Sequence, residues 1–365
     1  MFVAETDFPL AEPITRALSE AVALGDTGYT PPRHGLAETF AAFARRRLGW
    51  DVDATRVRTT GDVMMGVVEL IRALTEPGDR VVIAPPVYPP FAMCTEEAGA
   101  VVDEVPLRET GDGWELDVDG IDAALAAGAR VVLVCNPHNP TGTVHTRESL
   151  AAIAASARRY GAAVISDEIH APLVHDAASF TPFLAASEDA AAVGYTVTSA
   201  SKAYNLAGLK CAVMVTASDQ ATRIVRRLPK EVEWRTGLFG VHAAIAAFSE
   251  ESDAWLDGLR AALDGNRHLV ADLLAEHLPL ARYRIPQAGY LAWIDLSAYG
   301  WGDDPAQRIL KEAGVALHHG PLFGASGVGH VRLNFGCSPE LLRTAIERIG
   351  AMAVSSPRVP HASTP

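Results

Sequence analysis

The sequence predicts an α/β fold built around a mostly parallel sheet. Short apolar runs of strand length recur along the chain, at residues 81–83, 130–135, 162–166, 193–197 and 211–215. Helical patterns separate these runs, for example at 147–159. Short apolar strands alternating with helices are typical of a parallel sheet covered by helices.

The size and charge of the chain limit the classes of protein that it can belong to. Its 365 residues indicate two domains, or one large domain with an appendage. Hydrophobic residues make up 49% of the sequence, which is enough for a substantial core. The formal net charge of −13 argues against binding to nucleic acid or to an acidic membrane surface. It says nothing about whether the protein binds a small substrate.

The cysteines and the two ends of the sequence favour a cytoplasmic protein. The four cysteines are scattered and form no C-x-x-C pair, which fits a reducing cytosol better than a disulfide scaffold or a zinc site. The first ten residues have neither a basic region nor a long apolar run, so we expect no signal peptide. No stretch reaches the ~20 apolar residues of a membrane span. The Ser- and Pro-rich tail is predicted to be disordered.

The first elements place two candidate ligand contacts. Residues 28–32 predict an extended turn, and a helix follows at 36–47. A second helix begins near Gly61 and ends near Leu74, and its first N–H groups form either an ordinary helix cap or an anion site. Four prolines surround Tyr88 after the strand at 81–83, so its ring is held on a rigid loop. That ring could stack on a flat ligand or fill a gap in the core.

Three polar residues each follow the end of a predicted strand. These are Asn139, Asp167 and Lys202. Because ligands bind at the carboxyl ends of parallel strands, we expect the three side chains to share one site. Small and hydroxyl residues surround Lys202, and Lys210 follows eight positions later. Burial and a neighbouring positive charge lower the pKa of a lysine amine, which makes it a nucleophile at neutral pH.

The remainder of the chain predicts a smaller α+β unit. A long helix is expected at 255–277 and a final helix at 339–352. Two strands lie between them, at 290–296 and 331–336, and the second contains a single arginine, Arg332. His318 and His319 adjoin a glycine loop, and their spacing to other residues does not predict a metal site.

Taken together, these motifs resemble a fold-type I pyridoxal-phosphate (PLP) enzyme of the class I/II aminotransferase superfamily. Within it, the chain is most similar to the cystathionine β-lyase-like, or C–S lyase, branch. The motifs that carry the resemblance, in family order, are Gly28-Tyr29-Thr30, Pro85-Pro86-Val87-Tyr88-Pro89-Pro90-Phe91, Asn136-Pro137-His138-Asn139-Pro140-Thr141-Gly142, Asp167-Glu168-Ile169-His170, Ser199-Ala200-Ser201-Lys202, Asn205-Leu206-Ala207-Gly208-Leu209-Lys210 and Arg332-Leu333-Asn334. The motif at residues 85–91 and the motif Asp167-Glu168-Ile169-His170 indicate the lyase branch. Ordinary aminotransferases usually have a tyrosine at the position of His170.

The resemblance implies a PLP-dependent transferase fold with a large and a small domain. The large domain has a mixed, mostly parallel sheet, and the small C-terminal domain is α+β. The chain then divides into an N-terminal arm at 1–27 that contributes to the small domain, a PLP-binding domain at 28–254, a small domain at 255–353 and a tail at 354–365.

The resemblance also implies the roles of the residues around the PLP ring. Lys202 would bind PLP covalently and then act as the base at the substrate Cα. Asp167 would pair with the pyridine nitrogen, and Asn139 would donate to the phenolic oxygen of the ring. His170 would be a second partner of that oxygen, or a packing histidine without a chemical role. Tyr88 would stack on the ring face.

The phosphate and the substrate would be held by a further set of residues. The resemblance assigns the PLP phosphate to Gly61, Asp62, Val63, Ser199 and Lys210. Asp62 conflicts with this assignment, because its carboxylate would repel the phosphate unless its side chain turned outward or capped the helix. Lys210 could equally be a surface residue.

Two further assignments concern the substrate and a second copy of the chain. Arg332 would bind the substrate carboxylate, with Asn139 beside it. Tyr29 would reach the phosphate and the substrate in the partner subunit of a homodimer, or would be only a core residue.

The implied reaction is a carbon–sulfur β-elimination on cystathionine or a cysteine S-conjugate, which releases a thiol, pyruvate and ammonia. The alternative is an aminotransferase that uses the same residues with an amino acid and a 2-oxo acid. Another pathway-specific PLP reaction on a sulfur amino acid is also open. A PLP-binding sensor without catalysis is a further alternative, but no DNA-binding module is fused to the chain, and Lys202, Asp167 and Arg332 are all present.

Overall fold

The computed structural model of the protein describes residues 1–31, 34–111 and 113–355. Pro32, the last residue of the predicted turn, and residues 356–365 of the predicted tail lie outside this part of the chain. The β-strands that it describes are β1 (Val57–Thr60), β2 (Arg80–Ile83), β3 (Val101–Glu104), β4 (Arg108–Glu109), β5 (Trp114–Glu115), β6 (Val131–Cys135), β7 (Ala163–Asp167), β8 (Gly194–Thr198), β9 (Ala212–Thr216), β10 (Arg282–Tyr283), β11 (Leu291–Asp295), β12 (His318–His319) and β13 (His330–Asn334).

The helices surround and follow these strands. They are α1 (Glu12–Leu24), α2 (Leu36–Leu48), α3 (Val63–Leu74), α4 (Pro90–Glu97), α5 (Val118–Ala126), α6 (Arg147–Tyr160), α7 (Glu188–Val193), α8 (Asp219–Arg226), α9 (Glu231–Trp234), α10 (Leu238–Phe248), α11 (Asp253–His277), α12 (Pro305–Ala313) and α13 (Pro339–Ser355).

The larger sheet has the strand order β1-β9-β8-β7-β6-β2-β3. The pairs from β3 to β8 are parallel, whereas β9 pairs antiparallel with both β8 and β1. Every residue of β6, β8 and β9 is buried, as expected for a sheet covered on both faces. The mixed, mostly parallel sheet of the predicted fold is therefore confirmed.

The smaller sheet is antiparallel and has the order β10-β11-β13-β12. Its strands fall within the predicted small domain, although the boundaries of that division stay a prediction. Arg332 lies in β13 directly opposite Trp293 of β11 on one side and His318 of β12 on the other. The two histidines that were expected in a loop thus form a short edge strand.

Helix caps explain where several helices begin and end. Asp62, Thr146, Ser187 and Ser218 each accept a hydrogen bond from a backbone N–H of the helix that follows, which satisfies a donor that the helix itself leaves unpaired. Gly161 ends α6 with φ +66°, a left-handed conformation that glycine adopts without cost. In the described part of the chain, no helix is both long and apolar enough to cross a membrane.

The register of the parallel strands positions the candidate site. Cys135 of β6 lies opposite Asp167 of β7, and Asp167 lies opposite Val197 of β8. These strands therefore end at nearly the same level, and the residues that follow them emerge at one edge of the sheet. The loop after β6 is joined to the C-terminal part of the chain, because the Gly142 carbonyl accepts hydrogen bonds from the N–H groups of Gln287 and Ala288 at 2.9 and 3.0 Å.

The conformation of Gly142 generates a stability prediction. Its φ is +68°, and a Cβ added there would lie 2.3 Å from the Cβ of Pro286. We expect Gly142→Ala to lower the free energy of unfolding by about 3 kcal/mol or more, because backbone strain and overpacking act together. Gly161→Ala is the matched control, since its φ is +66° and no atom lies within 4 Å of the added Cβ. The control should lose only about 1–2 kcal/mol. Equal losses in chemical denaturation would show that the contact with Pro286 contributes nothing.

Candidate active site

Lys202 lies four residues beyond the end of β8, and its amino group contacts the N-terminal segment of the chain. The Nζ donates a hydrogen bond to the carbonyl of Ala4 at 2.9 Å. Burial lowers the pKa of Lys202, and the positive charge of Arg332 lowers it further. The prediction of a depressed lysine pKa named Lys210 as the nearby cation, but Arg332 has the larger effect. The amine is therefore easier to deprotonate than an exposed lysine.

Asp167 is the last residue of β7, and its side chain is buried. One carboxylate oxygen accepts the N–H of Ile169 at 3.1 Å. Burial raises the pKa of Asp167 from 3.8 to about 7, and the hydrogen bond from Ile169 and the charge of Lys202 oppose this rise only in part. Among the described residues, no basic side chain forms an ion pair with Asp167. A cation placed against this carboxylate would keep it ionised.

Asn139 and Arg332 meet although they come from different sheets. Arg332 donates from Nη1 to the Oδ1 of Asn139 at 3.0 Å, and from Nη2 to the carbonyl of Phe2 at 2.9 Å. The guanidinium is buried, and burial lowers the pKa of Arg332 to about 10, so it remains charged at neutral pH. Its Nε is buried without a hydrogen-bond partner among the described atoms.

His170 and Tyr88 are the other two side chains that the sequence predicted around the PLP ring. His170 is buried, its Nδ1 has no described partner, and its ring lies 6.1 Å from that of Tyr290 in an edge-on contact. Burial, with the charges of Lys202 and Arg332, lowers the pKa of His170 to about 3, so the imidazole is neutral. Tyr88 is half-buried; burial raises its pKa, and the nearby charge of Asp167 contributes to the rise.

The predicted phosphate cradle lies at the N-terminus of α3. The Oδ1 of Asp62 caps the helix by accepting the N–H of Met65 at 2.7 Å. The Oδ2 of Asp62 accepts from the Nζ of Lys210 at 3.0 Å. The carboxylate is thus both a cap and the partner of a cation, which resolves the conflict that Asp62 posed in the sequence. Gly61 and Val63 lie on either side of it at the start of the helix.

Ser199 and Lys210 are the other two residues of the predicted cradle. The Ser199 hydroxyl donates to the carbonyl of Cys211 at 2.6 Å and also lies 2.7 Å from the Ser201 hydroxyl. Lys210 has a left-handed backbone with φ +57°, and its side chain is exposed except for the pair with Asp62. The structure therefore brings the Lys210 ammonium to the N-terminus of α3, and the anion that both contact here is the carboxylate of Asp62.

Tyr29 does not join the site of its own chain. Its side chain is fully exposed, with a relative accessibility of 101%. The hypothesis that Tyr29 is a core residue is therefore wrong for the isolated chain. The adjacent Thr30 is tied to the segment after α9, since its hydroxyl donates to the carbonyl of Thr236 at 2.9 Å.

The N-terminal segment is the part of the site that the sequence did not predict. The carbonyl of Ala4 accepts from both Lys202 and the Tyr290 hydroxyl, the latter at 3.0 Å. Asn334 holds the same segment through a hydrogen bond to the carbonyl of Val3 at 2.6 Å. These contacts use backbone carbonyls, which every residue type carries, so the first residues gave no sequence signal for them. The motif that contains Asn334 was the one available hint.

Comparison with known proteins identifies the class of protein that has this fold and site. A model of the family described as aminotransferase class I and II matches residues 4–349, so the chain belongs to this family. Among the described residues, no cluster of His, Cys, Asp or Glu could hold a metal ion.

Two relatives and one solved structure resemble the chain over nearly its whole length. A protein of Mycobacterium leprae that carries the provisional name cystathionine beta-lyase is 42% identical, over 97% of this chain and 92% of its own. The cystathionine beta-lyase PatB of Bacillus subtilis is 34% identical, over 96% of this chain and 91% of its own. The crystal structure of the PLP-bound C-S lyase from Staphylococcus hominis has a TM-score of 0.89 and 28% identity, and covers 97% of this chain and 93% of that chain.

The buried carboxyl of Asp167 generates a prediction for the cofactor-free protein. Because its folded pKa of about 7 exceeds the ordinary 3.8, the unfolded state ionises at a lower pH than the folded state. The carboxyl therefore costs stability increasingly above about pH 4, and the cost is complete above about pH 7. We expect cofactor-free Asp167→Asn to unfold at a higher temperature than wild type near about pH 8, and at a similar temperature near about pH 4.

Asp295 supplies a control with the opposite sign. It is buried, but hydrogen bonds from Ser297 and Arg282 outweigh the effect of burial and lower the pKa of its carboxyl. A lowered pKa contributes stability above the unfolded value, so Asp295→Asn should unfold at a lower temperature than wild type near about pH 8. Thermal unfolding followed by circular dichroism measures both variants. A cofactor-free Asp167→Asn protein that is less stable than wild type near about pH 8 would contradict the raised pKa.

Proposed function

We propose that this protein is a PLP-dependent carbon–sulfur β-lyase that acts on cystathionine or a cysteine S-conjugate. The products would be a thiol, pyruvate and ammonia. The observation that carries this proposal is the meeting of Asn139, Asp167, Lys202 and Arg332 at one edge of the sheet. The names of the M. leprae and B. subtilis relatives, and the C–S lyase of S. hominis, support the lyase branch of the family.

The residues of the site fit PLP on chemical grounds. The buried Asp167 has no cationic partner among the described side chains, and a protonated pyridine nitrogen is the cation that PLP would provide. The unpartnered Nδ1 of His170 and the amide of Asn139 offer polar groups for the ring oxygen. The N-terminus of α3, Ser199 and Lys210 suit a phosphate, and Lys202 is the half-buried amine that an aldehyde requires.

The chemistry of the reaction divides between PLP and the protein. PLP, when bound, supplies the electron sink that stabilises negative charge at the substrate Cα. Lys202 removes the Cα proton, because burial and the charge of Arg332 lower the pKa of its amine and so favour the neutral form that acts as a base. Asp167 would hold a positive charge beside its carboxylate, Tyr88 would stack on the ring face, and His170 would be a second partner of the ring oxygen. The C–S bond then breaks, the thiolate leaves, and water completes the conversion to pyruvate and ammonia.

Arg332 is the proposed anchor for the substrate carboxylate. Its guanidinium remains charged, and it bonds to an amide oxygen and a carbonyl oxygen instead of a protein carboxylate. A guanidinium binds carboxylates through two parallel hydrogen bonds, which orients the substrate as well as holding it. Asn139 supports the guanidinium from the large sheet and is the second substrate contact in this proposal.

We also propose that the active unit is a homodimer in the cytoplasm. The full exposure of Tyr29 supports a role in the partner subunit, where it would reach the phosphate and the substrate. The four described cysteines are buried and unpaired, which agrees with a reducing compartment. The substrate is a small amino acid, and the net charge of −13 does not suit nucleic acid as a partner.

Product analysis tests the proposed reaction. Purified protein loaded with PLP is incubated with L-cystathionine or a cysteine S-conjugate, without a keto acid, and pyruvate and free thiol are measured. We expect both products to accumulate in equal amounts over many turnovers. Amino-group transfer only after addition of 2-oxoglutarate or pyruvate, with no thiol released, would make the protein an aminotransferase. That alternative has support from the family itself, which is described by its aminotransferases.

The two lysines near the site should respond differently to substitution. Lys202→Ala should lose the absorbance shift of bound PLP and the adduct that borohydride reduces, because no other half-buried amine replaces it. Lys210→Ala is the matched control, since it also removes one lysine amino group, in this case the one that pairs with Asp62 in the predicted phosphate cradle. It should keep the reducible adduct while binding PLP about tenfold more weakly. Mass spectrometry of the reduced proteins decides the outcome, and an adduct that survives in Lys202→Ala would mean that another lysine binds PLP.

A further inference from the structure

Phe323 lies against the cation that is proposed to bind the substrate, although it belongs to no motif of the predicted site. It is buried in the short turn Gly320–Phe323 that follows β12. The guanidinium carbon of Arg332 lies 5.1 Å from the centroid of its ring. At this distance the negative face of an aromatic ring attracts a cation.

The ring matters because Arg332 is a buried cation without an anionic partner in the protein. Neither of its hydrogen bonds goes to a carboxylate, and no described acidic residue forms an ion pair with it. Burying an uncompensated charge is costly. The face of Phe323 offsets part of this cost without neutralising the guanidinium, so the positive charge stays available to an incoming carboxylate.

Two neighbouring rings fix the orientation of Phe323. Trp293 meets it at 5.2 Å and 63°, and His318 meets it at 4.9 Å and 66°. Both are the cross-strand neighbours of Arg332, one on each side. Edge-to-face contacts of this kind are favourable and set the angle of the ring. The same three strands therefore position both the cation and the ring that contacts it.

The backbone of Phe323 makes a second connection, to the loop that carries Tyr88. Its carbonyl accepts the N–H of Val87 at 3.0 Å. The next residue, Gly324, has φ +117°, and a Cβ there would lie 2.7 Å from the Cβ of Pro85. The turn is therefore docked closely on the proline-rich loop. One residue thus joins the proposed carboxylate anchor to the aromatic ring that is proposed to stack on PLP.

We propose that Phe323 is a positioning residue for recognition of the substrate α-carboxylate. Its ring keeps the Arg332 guanidinium charged, desolvated and aimed, and its carbonyl keeps the Tyr88 loop in register with that cation. This inference rests on the proposed role of Arg332. It predicts that loss of the aromatic face weakens binding of amino acids specifically through their carboxylate.

A comparison of an acid with its amide isolates that contribution. L-alanine and L-alaninamide are titrated into the PLP-loaded enzyme, and binding is followed by the absorbance of bound PLP. Neither compound has a leaving group on its β-carbon, so the measurement does not depend on elimination. Wild type should prefer alanine. Phe323→Leu should weaken alanine binding by about three- to thirtyfold, and should change alaninamide binding by less than about twofold.

Two further variants separate the ring from general packing. Phe323→Tyr keeps an aromatic face and should retain the preference of wild type for the acid within about threefold. Phe43→Leu removes another buried phenylalanine that lies 5.9 Å from an arginine, Arg46, far along the chain in α2. It should lower thermal stability without changing the ratio of acid to amide affinity. Arg332→Ala should abolish the preference for alanine over alaninamide.

The possible results distinguish this inference from the proposed function. Equal binding of alanine and alaninamide by wild type would remove Arg332 from the carboxylate site, and the role of Phe323 with it. A wild type that prefers the acid, together with Phe323→Leu losses that are equal for acid and amide, would overturn only the role of Phe323. The same conclusion would follow if Phe323→Leu left alanine binding unchanged, or if Phe323→Tyr lost the preference.

Discussion

The hydrogen bond between Arg332 and Asn139 joins the two sheets of this protein at the point where its candidate chemistry lies. Arg332 comes from the middle of an antiparallel sheet, and Asn139 comes from the loop after a parallel strand. Neither residue could be placed by its own sheet alone. The loop of Asn139 is held in turn by Gly142, whose carbonyl binds the backbone leading into β11. The two contacts fix the distance between the sheets, and with it the position of Arg332 relative to Lys202 and Asp167.

The buried charged groups near this junction have no oppositely charged partner within the described part of the protein. Burial and the charge of Arg332 lower the pKa of Lys202, while burial raises the pKa of the Asp167 carboxyl to about 7. A protein selected for stability alone would pair these groups or remove them, because buried charges are costly. A carboxylate bound at Arg332 and a cation bound at Asp167 would each supply a missing charge. An amino-acid substrate would supply the carboxylate, and the protonated pyridine nitrogen of PLP would supply the cation.

The sequence predicted the framework well because its signals were local. Apolar runs located β6 to β9, and the residues that follow β6, β7 and β8 were predicted to share a site from the geometry of parallel sheets alone. The short strands β1, β3, β4, β5, β10 and β12 were missed, because two to four residues are too few to show a clear periodicity. The antiparallel direction of β9 could not be deduced either, since strand direction depends on how the chain returns to the sheet.

What the sequence could not supply were contacts between distant segments. Asp62 appeared as an obstacle to phosphate binding, and only the structure shows it as a helix cap paired with Lys210. Lys210 was expected to lower the pKa of Lys202, yet Arg332, 130 positions along the chain, has the greater effect. Phe323 belongs to no motif of the predicted site, because a phenylalanine in a glycine-rich turn has no sequence pattern that distinguishes a cation contact from packing.

The N-terminal segment shows how such distant contacts can serve the site without impeding it. The Phe2 carbonyl occupies one nitrogen of Arg332, and the Ala4 carbonyl occupies Lys202. Both carbonyls are neutral acceptors, whereas hydrogen bonds between two ionised groups are roughly twice as strong. A substrate carboxylate can therefore take the place of the Phe2 carbonyl at Arg332 with a gain in interaction energy. The segment itself stays anchored at Thr6, whose backbone N–H and carbonyl both bond to the side chain of Asn205 at 3.2 and 2.9 Å. The first residues thus satisfy two buried donors without competing strongly for them.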